Sequence, residues 1–275
     1  MKQFTRARVD DRVVERASQT LNGAVTRLDR IHILAVVLAL GLTAFLAIEP
    51  THNWLLLLLS GLAALATDGV VRTHPKARFQ RLDDTALFLF VPALFTLGLG
   101  LFLEEVAGGH LTIIAGLLSA IPYWIIISAE YECVDQRSPD FQVTRLVLNV
   151  ATYVTAFLFF ATIFDFELNL VTSSLAAGVV SILLAIEVLR EQGMDTGRTV
   201  LYAFAIGVLL AEATWATQFL PLEGSGAAVF LLLAFYLMTG VMHNYLASRL
   251  SPRTGSEFAG VALAGVAIIA LSTYL

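Results

Sequence analysis

Charged residues are scarce in this sequence: Asp, Glu, Lys and Arg make up only 14% of its 275 residues. Soluble globular proteins carry about 25%. Because hydrophobic residues also reach 57%, we predict an integral membrane protein whose main partner is the lipid bilayer. The net charge of -5 leaves no concentrated basic face of the kind that binds DNA or RNA, so we expect no nucleic-acid partner.

Cysteine and lysine are nearly absent. Cys133 is the sole cysteine, which excludes an internal disulfide and a metal site built from several thiolates. Lys2 and Lys76 lie outside the long apolar runs, which excludes the Schiff-base lysine of a retinal protein. The sequence therefore predicts no cofactor and no bound metal, and an enzyme is the less favoured class.

Nine long apolar runs occupy the chain from residue 31 onward. Each has about the ~20 residues that a helix needs to cross ~30 Å of hydrocarbon. They predict an all-α polytopic bundle of about nine transmembrane helices over residues 31–275, preceded by a cytoplasmic amphipathic segment of residues 1–30. The runs are Ile31–Ile48, Trp54–Val71, Thr85–Leu103, Leu111–Ala129, Leu146–Phe164, Leu170–Leu189, Thr199–Leu220, Ala227–Leu246 and Phe258–Leu275.

Lysine and arginine are missing from every odd-numbered connection between these runs. All seventeen precede the first run or lie in the even-numbered connections. By the positive-inside rule, the N-terminus is cytoplasmic and the C-terminus is outside, in a multipass protein of the plasma membrane. Helical spacing in the first segment predicts a helix on the inner leaflet, or one that pairs with a partner's helix. Its apolar positions are Val14, Ala17, Leu21, Ala24 and Leu28.

Glu212 is an acid within a predicted span. Counting 1.5 Å per residue from the middle of Thr199–Leu220 places it ~4 Å outside the bilayer centre, where a charge costs roughly 2.5–3.5 kcal/mol. No Lys or Arg lies in the predicted membrane interior or on the predicted outer face to pair with it. Three alternatives follow: a neutral, hydrogen-bonded Glu212, a water-filled cavity that it lines, or a base or ligand from another molecule.

Other candidate ligand-binding or titrating groups mark the cytoplasmic ends of the spans. Asp68 lies four residues before Arg72, and Glu187 lies three before Arg190, so both spacings predict ion pairs within one helix. Glu130 and Glu132 have no such partner in their own helix. The candidates besides Glu212 are Asp68, Glu130, Glu132, Glu187 and His243.

These features favour transport of a cation or a proton-coupled small solute, with Glu212 as the intramembrane group. Pro92 and Pro122 lie inside predicted spans and predict kinks that open cavities. One alternative is a non-catalytic subunit or assembly factor that contacts a membrane-protein partner or a second copy through Glu212 or through stripes of small residues. Another is an intramembrane lipid-modifying enzyme that uses Glu130 and Glu132.

Overall fold

Every regular element in the described part of the chain is a helix. Residues 1–28 of the predicted amphipathic segment lie outside the described residues. No strand occurs in the residues that the computed structural model describes, which are 29–48, 52–77, 85, 88–106, 110–166, 169–190, 196–220, 222, 224–247 and 251–274.

Seven helical segments are long and apolar enough to cross a membrane: α1, α2, α4 together with α5, α6, α7, α8 and α9. The chain is therefore a multipass membrane protein, while the count of nine spans and their orientation stay predictions. In chain order the helices are α1 (Asp29–Ala47), α2 (Asn53–Arg72), α3 (Phe90–Val106), α4 (His110–Leu118), α5 (Ala120–Glu132), α6 (Phe141–Asp165), α7 (Leu170–Leu189), α8 (Thr196–Thr217), α9 (Gly224–Leu246) and α10 (Pro252–Tyr274).

Two hydrophobic clusters form the core of the bundle. The first is built mainly from α1, α2, α3 and α5, and Leu38, Leu56 and Tyr123 are fully buried in it. The second joins α6, α7, α8 and α9 around Phe160 and Phe235. Helix α3 also contacts α6, and α10 packs on α9. The two halves of the bundle therefore meet along α3 and α6.

The two prolines have different effects on their helices. A proline ring clashes with the carbonyl group four residues earlier, and for Pro122 that residue is Leu118, where α4 ends. The regular helix is interrupted at Ser119, between α4 and α5, while the kink at Pro122 stays a prediction. The predicted kink at Pro92 is wrong, because α3 begins at Phe90 and a proline in the first turn removes no helical hydrogen bond.

Threonine hydroxyls inside the spans bond to their own helices. Each donates to the carbonyl oxygen four residues earlier at 2.7–2.8 Å, which satisfies the hydroxyl where no water reaches it. The threonines that do so are Thr43, Thr67, Thr96, Thr152, Thr155, Thr162 and Thr214.

Candidate functional site

Four charged side chains, three of them buried and that of Arg190 partly buried, meet at one end of the bundle, which we call the basic end. Arg145 of α6 donates from Nη1 to Oε1 of Glu187 and from Nη2 to the backbone carbonyl oxygen of Glu187, both at 2.7 Å. Nη2 of Arg190 lies 2.9 Å from Oε1 of Glu187 and 3.5 Å from Oε2 of Glu130. The side chains of both glutamates have no exposed surface. These four residues are the four-charge cluster.

The arginines of this cluster stabilise its two glutamates, whose positions are unfavourable for a negative charge. Glu130 and Glu187 lie in the last turns of α5 and α7, where the helix dipole repels negative charge. Burial also makes an unpaired carboxylate costly. The Arg190 guanidinium carbon lies 4.5 Å from the ring centroid of Phe88, a cation–π distance. The cluster therefore joins α5, α6 and α7 to Phe88, which lies just before α3.

The two ion pairs predicted within single helices are confirmed. Asp68 accepts from Nε of Arg72 at 2.7 Å, and Glu187 contacts Arg190 at 2.9 Å. Glu130 has no partner in its own helix, as expected, but Arg190 reaches it from a different helix. Residue spacing within one helix carries no information about that contact.

Further contacts join the loops at the basic end. Lys76 forms an ion pair with Asp135, and the hydrogen bond from its ammonium group holds the pKa of Asp135 below its ordinary value. The His74 and Tyr131 rings meet edge to face, with centroids 4.7 Å apart. Cys133 is buried beside the cluster, and desolvation raises the pKa of its thiol to about 11. This thiol is therefore protonated at neutral pH.

Three candidates do not enter the four-charge cluster, and Asp68, paired with Arg72, is one of them. Glu132 is exposed at the last position of α5, and His243 is half-buried in the last turn of α9. Within the described ranges, no group of three or more His, Cys, Asp or Glu residues could hold a metal ion. The structure thus brings together two of the five candidates at the basic end, Glu130 and Glu187.

Helices α7 and α8 approach closely at a glycine contact. A Cβ atom at Gly178 would lie 3.1 Å from both the Cβ of Ala211 and the carbonyl oxygen of Gly207. A Cβ atom at Gly207 would lie only 2.7 Å from the carbonyl oxygen of Gly178. A side chain would not fit at either glycine without moving backbone, so these residues set the separation of the two helices.

A groove of about 610 Å³ opens between α7 and α8 beyond this contact, towards Thr217. We call it the outer groove. The side chains of Leu175 and Phe219 are 62% and 76% exposed, so the groove opens on the outside of the bundle, where spanning helices meet lipid. It is lined by Val171, Ser174, Leu175, Val208, Ala211, Glu212, Trp215, Ala216 and Phe219.

Glu212 is the one charged residue among those that line this groove. The residue is exposed, and no hydrogen bond or ion pair joins its carboxylate to the described part of the chain. With α8 at Thr196–Thr217, Glu212 lies about 8 Å from the helix middle towards Thr217, compared with the expected ~4 Å. An apolar groove with an unpartnered acid supports the third alternative, a positively charged group from another molecule.

Ser174 is a groove residue that sequence analysis did not identify. Its side chain is 6% exposed, and its Oγ atom has no hydrogen-bond partner among the described residues. The neighbouring Ser173 instead donates to the carbonyl oxygen of Asn169 at 3.2 Å. Nothing in the sequence distinguishes these two adjacent serines, because the difference depends on which one faces α8.

A family model described as "Protein of unknown function (DUF5656)" matches residues 30–272. The match includes all the spanning helices, the four-charge cluster and the outer groove. No curated protein and no solved structure matches the chain.

Proposed function

We propose that this chain, which belongs to the DUF5656 family, binds a hydrophobic cation within the membrane at the outer groove. The observation that carries the proposal is the exposed, unpartnered Glu212 on an apolar groove that opens towards lipid. The bound molecule would place its positive charge on Glu212 and its apolar body against the groove walls.

Electrostatics support a cation as the ligand. A carboxylate in contact with hydrocarbon costs several kcal/mol unless a counter-charge or a proton neutralises it. No Lys or Arg is among the residues that line the groove, so the described residues around Glu212 supply no counter-charge. A cation from outside the chain removes this cost, and the ion pair is strong because the surroundings have a low dielectric constant.

The shape and walls of the groove support a hydrophobic small molecule. Its volume of about 610 Å³ lies in the range of roughly 300–1,000 Å³ that is typical of small-molecule sites. Trp215 and Phe219 lie on the side of Glu212 nearer the end of α8. Their ring faces attract cations and pack against alkyl chains.

Binding of this kind is the first step of the cation transport that the sequence favours, and translocation across the membrane stays a prediction. A partner helix that carries Lys or Arg would meet the same electrostatic requirement, so the subunit hypothesis is an outcome of the test below. The lipid-modifying enzyme hypothesis has less support, because Glu130 is fully buried against Arg190.

The test uses the protein in nanodiscs of zwitterionic lipid, with Trp54 and Trp124 replaced by Phe so that Trp215 is the sole tryptophan. A bromoalkylamine is titrated, and quenching of Trp215 fluorescence is compared with quenching by the bromoalkanol of equal length. We expect saturable quenching by the amine alone. Losing one charge-assisted contact of ~1.5–3 kcal/mol predicts roughly 10- to 100-fold weaker binding in Glu212→Gln.

Glu132→Gln is the matched control, because it removes another exposed carboxylate away from the groove. It should bind the amine like the parent protein. Quenching that does not saturate and is equal for amine and alcohol would overturn the proposal. A stoichiometric membrane-protein partner that dissociates in Glu212→Gln, together with no amine binding, would favour the subunit hypothesis.

A further inference from the structure

A second polar group lines the outer groove beside Glu212. The Oγ atom of Ser174 is buried, and no described residue accepts from it or donates to it. The side chain of Ser174 is only 6% exposed, yet it is one of the residues that form the groove wall. In this rotamer the hydroxyl meets neither water nor a described protein group, and rotation about χ1 to another staggered rotamer would turn it towards a ligand in the groove.

Hydroxyl groups close to Ser174 do have hydrogen-bond partners. Ser173 donates to the carbonyl oxygen of Asn169, and Thr214 on the facing helix donates to that of Leu210 at 2.8 Å. A buried hydroxyl that makes no hydrogen bond is unfavourable, so such groups normally have a partner. A ligand atom in the groove would supply the partner that Ser174 lacks.

The glycine contact fixes the relative heights of the two polar groups. Gly178 of α7 meets Ala211 of α8, and Glu212 is the next residue after Ala211. One turn outward along α7 from Gly178 is Ser174, and one turn is about 5.4 Å. The hydroxyl and the carboxylate therefore lie within about one helical turn of each other along the groove.

We infer that the hydrophobic cation is a protonated amine whose N–H groups donate to the Glu212 carboxylate and to the Ser174 hydroxyl. This inference rests on the proposed function and narrows its ligand class. A primary ammonium group has three N–H donors, so it can serve both oxygens at once. A quaternary ammonium group has none, so it can offset only the charge of Glu212. The alkyl chain of the amine would lie along α8 towards Phe219.

The experiment uses the same Trp215 assay with two brominated probes of equal chain length, a primary alkylammonium and an alkyltrimethylammonium. The primary amine is protonated at pH 7, since alkylammonium groups of this kind have pKa values near ~10.4. In the parent protein we expect the primary amine to bind at least about tenfold more tightly, because it donates hydrogen bonds to Glu212 and Ser174 that the trimethylammonium group cannot make.

Ser174→Ala should weaken binding of the primary amine by about tenfold and leave the trimethylammonium probe unchanged. Ser173→Ala is the matched control, and both affinities should equal those of the parent. Equal binding of both probes to the parent protein, with loss of both in Glu212→Gln, would overturn this inference and leave the proposed function standing. Binding of neither probe would overturn the proposed function itself.

Discussion

Replacement of Arg145 by Met tests the four-charge cluster. Arg145 donates twice to Glu187, once to its carboxylate and once to its backbone carbonyl, and both side chains are almost fully buried. Methionine removes both bonds and one positive charge while keeping much of the side-chain volume. Among the described residues, Glu187 then retains the contact with Arg190, which Glu130 also shares.

The expected loss of stability follows from these contacts. Removing one partner of a buried ion pair typically costs about 3–5 kcal/mol. Because Arg190 still lies 2.9 Å from Glu187, we expect the lower end, about 3 kcal/mol. The double variant Arg145→Met/Glu187→Met removes both members and leaves Arg190 with Glu130. It should recover most of the loss, since an apolar pair of similar volume is often neutral or stabilising.

Cys133 supplies the assay, because it is the sole cysteine and is buried beside the cluster. Its raised pKa of about 11 further slows reaction, so a maleimide labels it only when this end of the bundle opens. A loss of about 3 kcal/mol predicts labelling roughly 100-fold faster in Arg145→Met at pH 7. Arg137→Met, at an exposed position in the same region, is the control. A labelling rate in Arg145→Met equal to that control would refute the role assigned to the cluster.

Two further predictions concern packing and pH. In thermal unfolding, Gly207→Ala should destabilise the protein by roughly 1–3 kcal/mol, because its Cβ would lie 2.7 Å from the Gly178 carbonyl oxygen. Gly61→Ala is the control: its Cβ would meet nothing within 4 Å, so this variant should be neutral or slightly stabilising. Lys76→Met should raise the pKa of Asp135, measured by carboxyl NMR, because Lys76 donates the hydrogen bond that lowers it. Because the pKa of Asp135 is lower in the folded protein, the ion pair stabilises the folded state at pH values above the unfolded pKa of ~3.9. This stabilisation is lost as the pH falls through the folded-state pKa. An unchanged Asp135 pKa in Lys76→Met would contradict this prediction.

The spanning helices could be predicted from the sequence because their signal is local. An apolar run of about 20 residues requires only its own composition to predict a helix. The ends of the spanning helices are predicted less accurately. The predicted run is Thr199–Leu220, whereas α8 begins at Thr196 and ends at Thr217. Helical hydrogen bonds continue through polar residues such as Arg198, so hydropathy alone does not locate the first turn. This shift moved Glu212 farther from the helix middle.

The contacts between helices could not be predicted in the same way. Arg145 and Glu187 are 42 residues apart in the chain, and no spacing rule connects them. The groove depends on how closely α7 and α8 pack at Gly178 and Gly207, which requires both helices to be in place. Glu212 was identifiable because an acid in an apolar run is unusual by itself, whereas Ser174 was not.

The most direct test of the central claim is photo-crosslinking with a diazirine-bearing alkylamine in nanodiscs, followed by peptide mapping. We predict that labels concentrate on the groove residues of α7 and α8 between Val171 and Phe219, and that Glu212→Gln removes this enrichment. A matched diazirine alkanol should label all lipid-facing helices evenly. If the amine gives the same even distribution as the alkanol, the outer groove does not bind a hydrophobic cation.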